Sequence, residues 1–339
     1  MSTVISLNKS FQQVSYPEPS DSRLAGWCAT VGPAVVVAPE SSSSSADCGG
    51  RLLVVNWNMH VGNGNITELI GELSRQEESK GFKPPDFVFL LQETFRRGVE
   101  VPSPGRSRVP RRIPPPDSGV DIADIARRLG WWMYYVPSMR NGCRVGEEAE
   151  DRGNAILSSL PLKALEAVEL PFVVQRRVAL IATVTDAQNK PKLRVAVAHM
   201  DTRAPLLKGW VFAGPSARNR QARSMVAALK KLDDDGLPLV FGADLNSHLG
   251  AGEAAVGTVS KIAARRDSGK EPTHKSGLVL DHMFARFPET WHAAECVRLN
   301  QTFGSDHYPL VLPIRPASVD AVRASPDSDG AAQYLHHPA

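Results

Sequence analysis

Carboxylates, carboxamides and imidazoles recur in this chain at one kind of place, the end of a short apolar run. Asn56 and Asn58 follow the run 52–55, Gln92 and Glu93 follow 87–91, His199 and Asp201 follow 195–198, and Asp244 and Asn246 follow 239–241. Asp281 and His282 follow 278–280, and Asp306 and His307 stand just before 310–312. A single polar residue of this kind ordinarily serves a turn or satisfies a strand end. Six groups built from oxygen and imidazole ligands, with no cysteine among them, predict a common site. Asp, Glu and Asn oxygens without a thiolate suit Mg2+ or Mn2+ better than zinc. Histidines beside such an ion can act as acid, base or phosphate donor near neutral pH. The chemistry this describes is water attacking a phosphate ester.

The apolar runs must position these groups. Residues 52–55 and 87–91 read as buried strands, and further strand signals lie at 155–157, 178–184, 193–198, 239–241, 278–280 and 310–312. Ile66, Leu69, Ile70 and Leu73 have helical spacing, 122–129 reads as a short helix, and 218–232 is the clearest amphipathic helix. Many strands with few helices between them predict sheets packed on each other and flanked by helices, not a barrel of strict strand–helix units. Trp131 and Trp132 are expected in the core, and Arg218, Arg220 and Arg223 on the solvent face of the amphipathic helix.

Composition sets the frame. The 339 residues carry 39 Lys plus Arg against 36 Asp plus Glu, a net charge of +3 too near balance to indicate a nucleic-acid partner without local patches. With 42% hydrophobic residues, global disorder is excluded. No apolar run approaches the roughly 20 residues of a spanning helix, so no stable membrane insertion is expected. The cysteines at 28, 48, 143 and 296 form no CxxC pair and predict neither a disulfide framework nor a zinc site. A reducing, cytoplasmic setting is expected, with secretion left open by the Ala-rich sequence around 29–38. Ser/Gly richness near residue 45 predicts a flexible leader over 1–50, a single catalytic domain over 51–315 and a disordered tail over 316–339.

Read in order, Asn56-Trp57-Asn58, Leu91-Gln92-Glu93, Arg152-Gly153-Asn154-Ala155-Ile156-Leu157-Ser158, Ala198-His199, Gly242-Ala243-Asp244-Leu245-Asn246, Leu280-Asp281-His282 and Ser305-Asp306-His307-Tyr308-Pro309 form a series. The series resembles the ordered signature of the endonuclease/exonuclease/phosphatase superfamily of metal-dependent phosphoesterases. The departures are small: Ala243 intervenes between Gly242 and Asp244, and Asp201 follows His199 where an apolar residue is more usual. The resemblance implies a four-layer α/β/β/α sandwich, two mixed β-sheets packed face to face with outer helices and the site at one edge. It implies Glu93 as principal metal ligand with Asn58 and Asp306 around it, and Asp244 and Asn246 orienting the attacking water and holding the phosphate. His307 would be the base or the phosphate-binding imidazolium, with Asp281 fixing its tautomer. His199 would be a second histidine of the deoxyribonuclease I-like and sphingomyelinase-like branches, so the two histidines form one coupled unit. Arg177, with Arg176 as competitor, and Asn154 are the candidate phosphate contacts. His248, His274, His282 and His292 are expected to lie at the surface or behind the site.

One segment points to the substrate. Residues 96–117 are proline-rich and contain Arg96, Arg97, Arg106, Arg108, Arg111 and Arg112, which predicts an extended basic loop. Its start three residues after Glu93 puts the loop at the rim of the site, where arginines suit a polyanionic backbone. Nucleic acid bound through the 96–112 loop, cleaved as by an endo- or exonuclease with Mg2+ (or Mn2+), is therefore the first expectation. A phosphatase or sphingomyelinase-type lipid phosphodiesterase, and a non-catalytic phosphate-binding module of the same fold, are the alternatives.

Overall fold

Leu52 and Val54 pack in one buried cluster and Leu53 and Val55 in another, so the run 52–55 is a strand covered on both faces. The same alternation sends Val88 and Leu90 one way and Phe87, Phe89 and Leu91 the other. A computed structural model describes residues 2–6, 14–15, 23–39, 51–103, 121–141, 148–173, 175–202, 213–232 and 236–316. In chain order its strands are β1 (Ser2–Ser6), β2 (Val14–Ser15), β3 (Val35–Pro39), β4 (Leu52–Asn58), β5 (Asp86–Arg97), β6 (Trp132–Arg140), β7 (Glu150–Ser158) and β8 (Leu162–Glu169). There follow β9 (Val178–Thr185), β10 (Pro191–His199), β11 (Leu239–Asp244), β12 (Ala264–Arg265), β13 (Asp281–Arg286), β14 (Trp291–Ala293), β15 (Val297–Arg298) and β16 (Leu310–Pro316). The helices are α1 (Leu24–Cys28), α2 (Ile66–Ser79), α3 (Ile122–Leu129), α4 (Ala213–Lys231) and α5 (Ala254–Val259).

The strands form two mixed sheets. One runs β1-β3-β6-β7-β5-β4-β16-β14, with β15 beside β16, and the other β12-β13-β11-β10-β9-β8-β2. Between them lies a slab fed by Val54, Leu90, Tyr134 and Ile156 from the first sheet and Leu180, Val195, Val240 and Met283 from the second. Outside the first sheet, α2 and α3 cover Leu53, Phe87 and Phe89 with Leu69, Leu73, Ile122 and Ala126. Outside the second, α4 and α5 cover Ala196, Phe241 and Phe284 with Met225, Leu229 and Val256. This is the expected four-layer sandwich. Trp131 stacks on Phe87 at 5.7 Å between ring centroids, a core role as expected.

Four expectations about elements are corrected. Residues 35–39, read as leader, form β3, which pairs antiparallel with β6 and buries Val35 and Val37. Three consecutive valines outweigh the polar composition around them. Arg96 and Arg97, read as loop, complete β5 opposite Asp151 and Glu150 of β7. The strand expected at 278–280 begins at Asp281 instead. Arg218, expected in solvent, is buried in α4 with its guanidinium on Glu253. Arg106, Arg108, Arg111 and Arg112, like the tail from residue 317, lie outside the described residues.

Candidate active site

Strand polarity gathers the polar groups at one edge of the slab. β4 runs parallel to β5 and β10 parallel to β11, so Asn58, His199 and Asp244 arrive together at C-terminal strand ends, with Gln92 of β5 opposite Asn58. β7, β9, β13 and β16 run antiparallel to their neighbours and bring their beginnings to the same edge. Those beginnings carry Arg152 and Asn154, Arg177, Asp281, and the turn Ser305–His307. The period of two does the aiming: Val54, Val195, Val240 and Met283 face the slab, so Asn58, His199, Asp244 and Asp281 face it too. Glu93 is aimed differently. The β5–β7 register shifts between Leu91 and Thr94, and Glu93 takes a left-handed φ of +49°. This bulge turns Glu93 to the rim.

Behind the edge the slab turns polar by degrees. Gln92 Nε2 donates to Asn56 Oδ1 at 2.7 Å, and Asn56 Nδ2 donates to the His282 carbonyl across the sheets. Gly242 makes room for this: a Cβ there would lie 2.6 Å from Asn56 Oδ1.

The centre is a carboxylate–imidazole pair. His307 Nδ1 lies 2.7 Å from Asp281 Oδ2, which fixes the Nδ1–H tautomer and leaves Nε2 outward. The His307 backbone is tied by Trp57 Nε1 donating to its carbonyl at 3.0 Å and by Ser305 Oγ accepting from its N–H. Asp244 sits beside Asp281 in register and accepts from Asn58 Nδ2 and from the Asn246 N–H, each at 2.9 Å. Burial, and then the Asp281 charge, push the Asp244 carboxyl up to about 6. Burial alone would lower His307. The Asp281 charge and hydrogen bond, followed by Asp244 and Asp306, instead raise it to about 10. Ligand atoms of Asp244, Asp281 and His307 lie within 4.8 Å of one another, a group able to hold a cation.

A second cluster surrounds His199. Its Nε2 is 3.5 Å from Asp244 Oδ2 and its Nδ1 3.9 Å from Glu93 Oε1. Burial, then Arg177 and Arg152, lower this ring well below its ordinary value, so it is neutral. Arg152 Nη1 lies 3.4 Å from Glu93 Oε2. Arg177 Nε is held by Asp201 Oδ1 at 3.3 Å, and Gln221 holds Asp201 in turn. Arg176 is committed elsewhere, to Glu169 and the Pro137 carbonyl. Asn246, left-handed at φ +50°, donates its amide to the Met200 carbonyl. Asn154 Nδ2 donates to the Val178 carbonyl at 2.6 Å, bridging the sheets and leaving one amide hydrogen for a ligand.

Asp306 stands in a third cluster. Its Oδ1 lies 3.8 Å from His307 Nε2, and its Oδ2 3.3 Å from His274 Nε2 and 3.7 Å from His60 Nε2. Burial opposes ionisation of Asp306, but the His274 hydrogen bond and the three imidazole charges hold it down at about 2. All the expected residues thus reach the same edge, although Glu93 and Asp306 fall into different clusters. Sequence reasoning missed His60, which lies two residues past Asn58, and left His274 and Arg152 without a role. His282 is fully buried on Ser247 and Asp267 and takes no part in the edge.

A profile of the endonuclease/exonuclease/phosphatase family matches residues 55–307. Among solved structures, the human Nocturnin catalytic domain with bound sulfate anion is similar at TM-score 0.52 and 16% identity, over 78% of this chain and 94% of that one. An endonuclease/exonuclease/phosphatase protein from Beutenbergia cavernae is similar at TM-score 0.53 and 18% identity, over 79% of this chain and 72% of that one. These likenesses concern the fold. No curated protein sequence matches the chain.

Proposed function

Because the chain belongs to the endonuclease/exonuclease/phosphatase family, whose members are hydrolases acting on phosphoesters, we propose that it is a divalent-metal-dependent phosphodiesterase using activated water, with nucleic acid as substrate. The observation that carries this reading is the Asp281–His307 pair at 2.7 Å, set directly beside Asp244. Two adjacent buried carboxylates and an Asp281 Oδ1 with no partner among the described residues fit a missing positive charge. The donors are oxygen-rich, which suits Mg2+ or Mn2+. Glu93, Asn58 and Asp306 would hold the ion, which when bound lowers the pKa of its water and neutralises phosphate charge.

The side chains then divide the work. Asp244, braced by Asn58 and by the Asn246 N–H, orients the attacking water. Asn246 turns toward the non-bridging oxygens. His307 meets the phosphate through Nε2 as an imidazolium, and its proton is available to the departing oxygen. Asp281 keeps that proton economy by accepting from Nδ1. Neutral His199 stabilises the developing charge with a hydrogen bond. Arg177, steadied by Asp201, offers its terminal nitrogens to the phosphate.

The nucleic-acid reading draws on Arg106, Arg108, Arg111 and Arg112, which follow the strand that carries Glu93. Arg96 and Arg97 no longer contribute, because Asp151 and Glu150 neutralise them. A second reading, a phosphomonoesterase, is favoured by Arg152 and Arg177 both acting on His199, since two guanidiniums suit a dianionic terminal phosphate. Plasmid, RNA, a lipid phosphodiester and a terminal phosphate incubated with Mg2+, with and without chelator, separate the readings. Cleavage of nucleic acid that chelator, Glu93→Ala and His307→Ala each abolish is expected. Hydrolysis confined to lipid or terminal phosphate overturns the substrate class, and hydrolysis of none with Mg2+ or Mn2+ overturns the enzyme.

A further inference from the structure

The two arginines that act on His199 differ in what holds them. Arg152 Nη1 lies 3.4 Å from Glu93 Oε2, a carboxylate assigned to the ion. Arg177 Nε lies 3.3 Å from Asp201 Oδ1, a carboxylate that neither meets the ion nor moves a proton in the proposed reaction. Arg177, Asp201 and Gln221 are each at most 3% exposed, so solvent ions screen this charge pair little. We propose that Asp201 is a specificity-determining residue: its charge offsets that of Arg177, so the phosphate position takes the single charge of a phosphodiester and disfavours the second charge of a terminal phosphate. The inference rests on the proposed function, in which Arg177 meets the phosphate, and names the class of ester that this position admits.

Support for Arg177 does not by itself call for a charge at position 201. α4 holds the segment through Gln221, whose Oε1 accepts from the Asp201 N–H at 3.0 Å. Gln221 Nε2 donates to the Pro171 carbonyl at 3.1 Å and to Asp201 Oδ2 at 3.3 Å. The Leu170 N–H in turn donates to the Arg177 carbonyl at 2.9 Å, so one glutamine ties the chain after His199 to the chain beside Arg177. A neutral carbonyl oxygen at position 201 would still accept from Arg177 Nε. What the carboxylate adds is negative charge. Because Nε is engaged by Asp201, the terminal nitrogens of the guanidinium fork are the ones that face a phosphate. That places the phosphate across the guanidinium from the carboxylate, about 6–8 Å away, where at an effective dielectric constant of about 20 a second phosphate charge is disfavoured about 30–100-fold. Arg177 paired in this way adds little to the pull of Arg152 on a dianion, which favours the diester reading over the monoester one.

The test is a ratio measured on the full chain with Mg2+: kcat/KM for p-nitrophenyl phosphate, a dianion at about pH 8, over kcat/KM for bis-p-nitrophenyl phosphate, a monoanion. Asp201→Asn should raise that ratio about 30–100-fold. Any loss of folded protein scales both rates alike and cancels from it. Gln221→Ala loosens the same segment but keeps the charge, so it should lower both rates and leave the ratio at the wild-type value. A ratio that Asp201→Asn does not raise, or that Gln221→Ala raises equally, overturns the proposal. Arg177→Ala tells that failure from failure of the proposed function, since it should slow the diester if Arg177 meets the phosphate. Diester hydrolysis that Arg177→Ala leaves intact, or no hydrolysis by the wild type, overturns the phosphate contact itself and the proposal with it.

Discussion

Replacing Asp281 by Asn keeps the shape of the side chain and removes the charge that holds His307. That ring stands at about 10 against an ordinary 6.5. At about 1.4 kcal/mol per tenfold, the gap is about 5 kcal/mol of preference for the imidazolium. Burial works against it, so Asp281 and the more distant Asp244 and Asp306 supply more than the net amount. In the variant burial remains, and the ring of the metal-free protein should titrate at or below its ordinary value. The tautomer also loses its anchor, because an amide can donate to Nδ1 as readily as it accepts from it. The fall in kcat/KM should lie between about 10^2, the loss of an outer partner, and about 10^4, the loss when the orienting carboxylate of a Ser–His–Asp triad becomes an amide. Hydrolysis of bis-p-nitrophenyl phosphate measures the rate, and NMR of the His307 ring measures the titration. Stability gives a third check. A ring held more basic in the folded state stabilises it fully below about pH 6.5 and loses that contribution as pH rises through about 10. Metal-free wild type should lose up to about 5 kcal/mol across that window, and the variant should not. A ring that still titrates near 10 in Asp281→Asn, or unchanged turnover, would refute the assignment.

Glu93→Gln should lower Mg2+-supported turnover about a thousandfold or more with the fold retained, a loss of several kcal/mol at the transition state; rates near wild type with Mg2+ would remove Glu93 from the metal. For Asp244 the sign is that of a raised carboxyl: the metal-free fold is favoured below 3.8 and loses about 3 kcal/mol as pH rises through about 6. Mg2+ offsets that buried charge, so its thermal stabilisation should be larger at about pH 7.5 than at about pH 5, and a shift independent of pH contradicts the reading. Arg218→Ala strands the buried Glu253 and should cost about 3–5 kcal/mol in denaturant unfolding, while the paired Arg218→Met/Glu253→Leu change should recover most of it. Gly153→Ala puts a Cβ 2.1 Å from the Val136 carbonyl oxygen. Backbone cannot yield as a side chain can, so β6 must shift at a cost of about 1–3 kcal/mol or more, again read by denaturant unfolding.

The fold and most of the site were legible because both follow from strand period and strand end. Once 52–55 and 87–91 read as doubly covered strands, their polar successors had to share an edge, and Asn58, Asp244, His199 and Asp281 do. What composition misread were charges whose partners lie far along the chain. Arg96 and Arg97 look like the start of a basic loop until Asp151 and Glu150 are found opposite them across a strand pair. Arg218 looks like a solvent residue of an amphipathic helix until Glu253, 35 residues on, is found beneath it. Burial of an arginine depends on a carboxylate that periodicity does not register. The valines of β3 were passed over for the opposite reason, because the Ser/Gly sequence beyond them suggested a leader that the backbone pairing with β6 overrides.

The positions least visible in sequence are those where the backbone itself is bent to the task. Glu93, Asn246 and His60 each hold a left-handed conformation without being glycine. Each would be relieved by a substitution to glycine, which tolerates that region freely. At Glu93 and Asn246 a side chain used at the edge accounts for the residue type, whereas Val61 and Phe303 hold the same conformation as buried apolar residues. Glu93 stands at the bulge in β5, where a regular strand would have presented Thr94, and its carboxylate reaches His199 and Arg152 instead. His60 stands where β4 has just ended, and its ring reaches Asp306 from across the loop. Strain of about 1–3 kcal/mol per residue is not confined to the edge, since Val61, Ala164, Asn189 and Phe303 hold the same conformation, and Glu93 is the one such residue assigned to the ion. Replacing Glu93 by glycine should raise the stability of the metal-free chain while removing the ion, and a loss of stability from the change would mean that the strain serves packing instead.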